Sequence, residues 1–415
     1  MNILYQDFEH FVIKKMNIMD YRRKQYDTLM SRLRESRGKM QVLLGPRQVG
    51  KTTLMDQILA SVNIPYTLAK ADNVSPEDSG WISRTWESAR GKMAALNQPE
   101  HLLVIDEIQK IENWSEAVKA EWDWDCSNKL PLKVVLLGSS RLLLQHGLKE
   151  SLAGRFELIR MGHWSLSEMQ DAFGVTTDQF IFYGGYPGAV QFVGDEPRWR
   201  RYVKDSIASP AVERDVILTS NINKPVLMKR LFRLGCSYSS MELSLTKMLG
   251  HLQDAGNVTT LASYLDLLNQ CQLLCGLQKY AHDEARRYNS VPKFQVFNNA
   301  LLTAFQRGTF ETVRSDSDLW GRWVESAVGT HLLNEAEIND FQVYYWRERD
   351  KEVDYIVVSD DICIAIEVKS GRRRMNSGIV EFEKRFHPTR SFIVGTGGIS
   401  VEEFLRCDLS RLLYS

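Results

Sequence analysis

Gly45-Pro46-Arg47-Gln48-Val49-Gly50-Lys51-Thr52-Thr53 decides how the rest of the chain is read. The stretch fits G-x-x-x-x-G-K-[ST], a loop that wraps phosphate in its own backbone N–H groups. Met40 to Leu44, just before it, reads as a buried strand, and Leu54 to Ala60, just after it, as a helix. Gly45 and Gly50 let the backbone turn inward, and the helix start adds partial positive charge. Pro46, Arg47, Gln48 and Val49 complete the cradle. Lys51 is expected at the β- and γ-phosphates of ATP, the Thr52 hydroxyl on Mg²⁺, and Thr53 near the α-phosphate.

Working outward, Leu102-Leu103-Val104-Ile105 is a continuous apolar run ending in Asp106-Glu107. Such a run suits a strand covered on both faces of a parallel sheet. Asp106 is expected to hold Mg²⁺ and Glu107 to polarise the water that attacks the γ-phosphate. Lys133 to Gly138 repeats the pattern and ends in Ser139-Ser140, either of which is a candidate γ-phosphate sensor. Arg155, in Ser151-Leu152-Ala153-Gly154-Arg155-Phe156, stands where ring-forming ATPases place an arginine finger for a neighbour's nucleotide. The equally weighted alternative is an intramolecular salt bridge on the surface. Strands alternating with helices to this point predict a doubly wound α/β fold.

The chain has 415 residues, too many for one ordinary domain. Lysine plus arginine and aspartate plus glutamate number 52 each, so bulk charge does not argue for nucleic acid. The six cysteines lack a metal-binding spacing, which suits a reducing cytoplasm. Cys271 and Cys275 are read as core residues on one apolar helix. No leader or membrane-spanning run is expected.

Leu166 to Arg214 is helical in pattern, broken at Gly184-Gly185-Tyr186-Pro187-Gly188, and is read as a helical lid. Asn221 to Ala281 suggests a winged helix-turn-helix. Its second long helix, Thr259 to Leu274, contains no Lys or Arg and carries Asp266. Phosphate contacts need cations, so a protein-contact or spacer role is favoured there. Near the end, Val343 to Arg347, Lys351 to Val358 and Ile362 to Ser370 read as three successive strands. A period of two puts Glu367 and Lys369 on one face, and strand pairing can bring Asp354 beside them. That is the PD-(D/E)xK nuclease arrangement: Asp354 and Glu367 for Mg²⁺, Lys369 for water, and Glu325 on the preceding helix as a further ligand or orienter. Arg372-Arg373-Arg374 follows as a phosphate grip.

With these residues assembled, the chain resembles a family of bacterial and archaeal ATPases that join an AAA-type ATPase to a C-terminal domain of unassigned function with restriction-endonuclease-like motifs. The matching stretches are Gly45 to Thr53, Leu102 to Gln109, Leu137 to Arg141, Ser151 to Phe156, Gly185 to Pro187, Glu352 to Tyr355 and Ile366 to Gly371. The resemblance implies a P-loop core, a helical lid, a winged-helix segment and a nuclease-like end. One departure is that Glu352-Val353, with no Pro, precedes Asp354. The expected domains are 1–162 (P-loop ATPase core), 163–220 (lid), 221–288 (winged-helix-like) and 289–415 (nuclease-like). Two functions follow as expectations. One is a homo-oligomeric, cytoplasmic ATPase that processes DNA. The other is an ATP-dependent switch whose C-terminal domain recognises a partner without cutting.

Overall fold

A computed structural model describes residues 21–138, 151–217, 222–252, 257–281, 290–371 and 377–410. Ser139, Ser140 and Arg372 to Arg374 lie outside the described residues. The chain divides into two compact units. The first holds residues 22–162 and 214–221, and the second holds 1–21, 163–213 and 222–415.

In the first unit, β1 (Met40–Leu44), β2 (Tyr66–Lys70), β3 (His101–Asp106), β4 (Leu132–Gly138) and β5 (Phe156–Arg160) form one sheet of order β2-β3-β4-β1-β5. Every pairing in it is parallel. All residues of the three inner strands are buried, which is why they read as unbroken apolar runs. Alternation along each strand feeds two cores. Met40, Val42, Leu103, Ile105, Val134 and Leu136 pack with α3 (Gly80–Ala95) and α4 (Trp114–Ser127) through Trp86 and Trp122. Leu43, Leu102, Val104, Val135 and Leu137 pack with α1 (Gln25–Arg34) and α2 (Lys51–Leu59) through Leu29, Leu33 and Ile58. Each such side chain contributes roughly 1.5–3 kcal/mol by leaving water. With helices on both faces, loops after the strands meet at one edge, where α/β sheets bind ligands. Leu44 is in register with Gly138, and Ile105 with Leu136, so β1, β3 and β4 end within about one residue of each other there.

The second unit begins with helices Leu166–Phe173 and Thr177–Tyr183, each opened by a capping box, Ser165/Glu168 and Thr176/Gln179. Gly184 closes the second at φ 69°, and a side chain there would stand 2.2 Å from Asn298 Oδ1. Asn298 Oδ1 also accepts from the Gly185 N–H at 3.0 Å, so the Gly-Gly pair is required by a close backbone approach. Helices Pro225–Ser237, Leu245–Leu252 and Val258–Gln270 come next, with β6 (Met241–Glu242), β7 (Leu274–Leu277) and β8 (Lys293–Val296) as a small sheet of order β6-β8-β7. The last of these helices stops at Gln270, so Cys275 sits on β7 and not on a helix shared with Cys271. Both cysteines are buried.

The long helix Ser317–Asn339 precedes β9 (Gln342–Glu348), β10 (Lys351–Ser359), β11 (Ile362–Lys369) and β12 (Arg390–Gly395). Their order is β12-β11-β10-β9, with β9, β10 and β11 antiparallel and β12 parallel to β11. The β9–β10 register shifts between Val353 and Ile356, around Asp354. Among the described residues no helix is long and apolar enough to cross a membrane.

Candidate functional site

The phosphate loop leaves β1 at Leu44 and enters α2 at Lys51. Gly45 has no room for a side chain, because a Cβ would lie 2.1 Å from the Met161 carbonyl oxygen. Gly50 caps α2 at φ 92°, a conformation costly for any residue with a Cβ. Gly50 thus meets the backbone demand expected of it, and Gly45 also meets a packing demand from Met161. Lys51 is buried, and its Nζ donates to the Gly45 and Pro46 carbonyls, 2.8 Å each. Burial draws its ammonium down to about 8, while Glu107, Asp215 and Asp106 work the other way. The lysine thus lies curled over its own loop, ready to exchange two carbonyls for phosphate oxygens.

Thr52 Oγ1 donates to Asp106 Oδ2 at 3.1 Å, so the two expected Mg²⁺ ligands already touch. A hydroxyl and a carboxylate are hard oxygen donors and fit that ion. Burial, then the neighbouring Glu107, pushes the Asp106 carboxyl up, which an adjacent dication would relieve. Glu107 has a left-handed backbone at φ 55°, and its Oε2 accepts from Gln109 Nε2 at 2.5 Å. Thr53 is half-buried in the first turn of α2. Two residues of this region escaped the sequence reading. Gln109 is one. The other is Asp215, whose Oδ2 accepts from Arg47 Nε at 2.6 Å. Burial pushes the Asp215 carboxyl up, and the Arg47 hydrogen bond opposes it.

Arg155 stands at the other edge of the sheet. Its carbonyl accepts from the Met40 N–H at the start of β1, opposite the end that leads to the loop. Its guanidinium grips Asp123 with Nε to Oδ1 and Nη2 to Oδ2, both 2.8 Å. That is the intramolecular pair weighed against an arginine finger. It is partly exposed, and such pairs contribute only about 0–1 kcal/mol.

The C-terminal cluster lies wholly within the second unit. Tyr355 is in register with Ile366, which sets Asp354 against Glu367 on adjacent strands. Asp354 Oδ2 accepts from the Val368 N–H at 2.7 Å. Lys369 Nζ pairs with Glu367 Oε1, while Glu367 Oε2 is buried without a hydrogen-bond partner. Burial, then Asp354, raises the Glu367 carboxyl to about 7. That orphan oxygen fits a metal ligand, but the neighbouring positions are already served. Glu325 Oε1 lies 2.6 Å from Lys293 Nζ, which is also 3.8 Å from Asp354 Oδ1. Among the described residues no group of three or more His, Cys, Asp or Glu is arranged to hold a metal ion. Lys293 was missed in the sequence. Its stretch, Lys293–Val296, is a short buried strand that alternates polar and apolar residues, which gave no sign of a buried charge.

Residues 37–170 match the family model described as AAA domain. Residues 175–311 and 320–405 match two further models, each described as a domain of unknown function (DUF8612 and DUF4143). No curated protein matches the chain in sequence. Among solved structures, a Walker-type ATPase of Pyrococcus abyssi is 15% identical, covering 69% of this chain and 95% of that one at a TM-score of 0.48. Thermotoga maritima RuvB is 17% identical, covering 60% and 85% at 0.31. A katanin structure is 19% identical, covering 38% and 56% at 0.28. With the loop, the aspartate at the end of β3 and the five-stranded parallel sheet, residues 37–170 form an AAA-type P-loop ATPase domain.

Proposed function

We propose that the chain binds ATP with Mg²⁺ and hydrolyses it, and that this cycle acts on the second unit. The observation that carries the reading is the contact of Thr52 with Asp106 beside the buried Lys51. In the proposed site the loop backbone from Gly45 to Thr53 cradles the phosphates. Lys51 neutralises the β- and γ-phosphates, and Thr52 and Asp106 hold Mg²⁺. Glu107 orients the attacking water, and Ser139 or Ser140 senses the γ-phosphate. Purified protein should release phosphate from ATP in the presence of Mg²⁺. Lys51→Ala should weaken ATP binding about 100-fold by removing a charge-assisted contact. A phosphate-bound lysine must be charged, and burial lowers Lys51 to about 8 in the free chain. Wild-type affinity should therefore hold at pH 7 and fall up to ~10-fold per unit as pH rises past 8. Calorimetric titration across pH 7–9.5 checks this, and a flat profile would remove Lys51 from the phosphates.

Oligomerisation is part of the proposal. Arg155 lies at the sheet edge away from its own loop, which supports a role on a neighbouring copy's nucleotide. The weak Asp123 pair is easily exchanged for a phosphate. Turnover per chain should then rise with protein concentration. Arg155→Ala should bind ATP normally but hydrolyse it at least ~10³-fold more slowly. Full specific activity at high dilution would exclude the role.

For the second unit, DNA processing through Asp354, Glu367 and Lys369, with Glu325 as orienter, is the first reading. Its support is the strand adjacency and the orphan Glu367 oxygen. Helices Pro225–Ser237, Leu245–Leu252 and Val258–Gln270 with the β6-β8-β7 sheet support a winged-helix module. The second reading, a partner-recognition module that does not cut, is favoured by Lys293, whose ammonium lies between Glu325 and Asp354. Incubation with single- and double-stranded DNA, ATP and Mn²⁺ separates them: cleavage lost in Glu367→Gln supports the first, and intact DNA the second.

A further inference from the structure

This inference rests on the nucleotide reading above and goes on to specificity. Arg47 is the third residue of the phosphate loop, and its guanidinium has five N–H donors in a rigid fork. Nε is taken by Asp215 at 2.6 Å. Among the described residues that is the one hydrogen bond the guanidinium makes, so Nη1 and Nη2 remain for a ligand. The Arg47 side chain is 22% exposed and that of Asp215 8%. A guanidinium held by a buried carboxylate has little freedom, so its remaining donors point in a fixed direction. Arg47 is also within electrostatic reach of Glu107 and of Lys51, the groups at the γ-phosphate end of the loop. A fixed fork of that kind suits bidentate recognition of phosphate.

We propose that Arg47 distinguishes nucleoside triphosphate from diphosphate by placing Nη1 and Nη2 on the third phosphate, and that Asp215 is the positioning residue that aims it. Asp215 lies in the π-helical segment Ala211–Ile217, within which the chain passes from the second unit back into the first. Discrimination between ATP and ADP is thereby tied to the segment joining the two units.

The test is the ratio of ADP to ATP dissociation constants, measured by calorimetry with a non-hydrolysable ATP analogue, Mg²⁺ and full-length protein. Arg47→Gln should lower the ratio roughly 10- to 100-fold through ATP affinity alone, with ADP affinity within about threefold of wild type. Asp215→Asn should lower it in the same direction by a smaller factor, and Asp215→Glu should restore it. The double variant should be no worse than Arg47→Gln, because the two residues act as a unit. Retained ADP binding reports an intact loop, and Arg47→Lys, which keeps charge but not the fork, should fall between. Equal loss of ATP and ADP in Arg47→Gln, or tighter ATP binding in Asp215→Asn, would overturn the assignment. Wild type that binds neither nucleotide would instead overturn the ATP reading itself.

Discussion

Glu107→Gln should bind ATP as tightly as wild type and turn it over about 10²- to 10⁴-fold more slowly. The argument begins with the backbone. Glu107 follows the last residue of β3 and sits at φ 55°, a left-handed conformation that costs a glutamate roughly 1–2 kcal/mol. The Glu107 carboxylate lies within electrostatic reach of Lys51 in the phosphate loop. Gln109 Nε2 holds its Oε2 at 2.5 Å, so the carboxylate is restrained before any nucleotide arrives. Glutamine has the same length and can take up the same place. What it lacks is the negative oxygen that accepts a proton from water. Binding, which depends on Lys51 and the loop, should be unaffected. Phosphate release and equilibrium binding measured together check this. A variant with more than a tenth of wild-type turnover would show that another group activates the water.

What was legible in the sequence, and what was not, divides by distance along the chain. The phosphate loop is local, and nine consecutive residues state its demands. β3 was expected over Leu102 to Ile105 and spans His101–Asp106, because a strand covered on both faces leaves an unbroken apolar signature. The strands Lys351–Ser359 and Ile362–Lys369 each fall within one residue of their expected bounds, and their pairing brings Asp354 to Glu367. Partners brought in by folding left no local mark. Asp215 reaches Arg47 across 168 residues, and Lys293 reaches the Asp354 backbone across 61. A charged residue whose partner is remote reads in the sequence as one more solvated side chain. Arg155 shows the same ambiguity, since nothing near it announces Asp123.

Lys293→Met should destabilise the second unit by about 3–5 kcal/mol, the usual consequence of removing one partner of a buried ion pair. The Lys293 side chain is 8% exposed, and its ammonium meets Glu325 at 2.6 Å. It also donates to the Asp354 carbonyl at 3.2 Å and lies 4.7 Å from the Tyr355 ring centre. Burial works against the charge, but Glu325, Tyr355 and Asp354 together hold the ammonium well above its ordinary range. Glu325 is raised to about 7 by burial, and Lys293 is what keeps it from rising further. Methionine fills most of the lysine volume, so the loss is electrostatic and not a cavity. It leaves Glu325 and Asp354 facing each other without a counter-charge. Pairing the change with Glu325→Gln should recover a large part of the loss, because no buried carboxylate is then abandoned at that position. Urea unfolding of the single and double variants, followed through the transition of the second unit, measures both effects. A Lys293→Met protein within about 0.5 kcal/mol of wild type would mean that the pair is open to water, and the ammonium would then no longer favour the non-cutting reading.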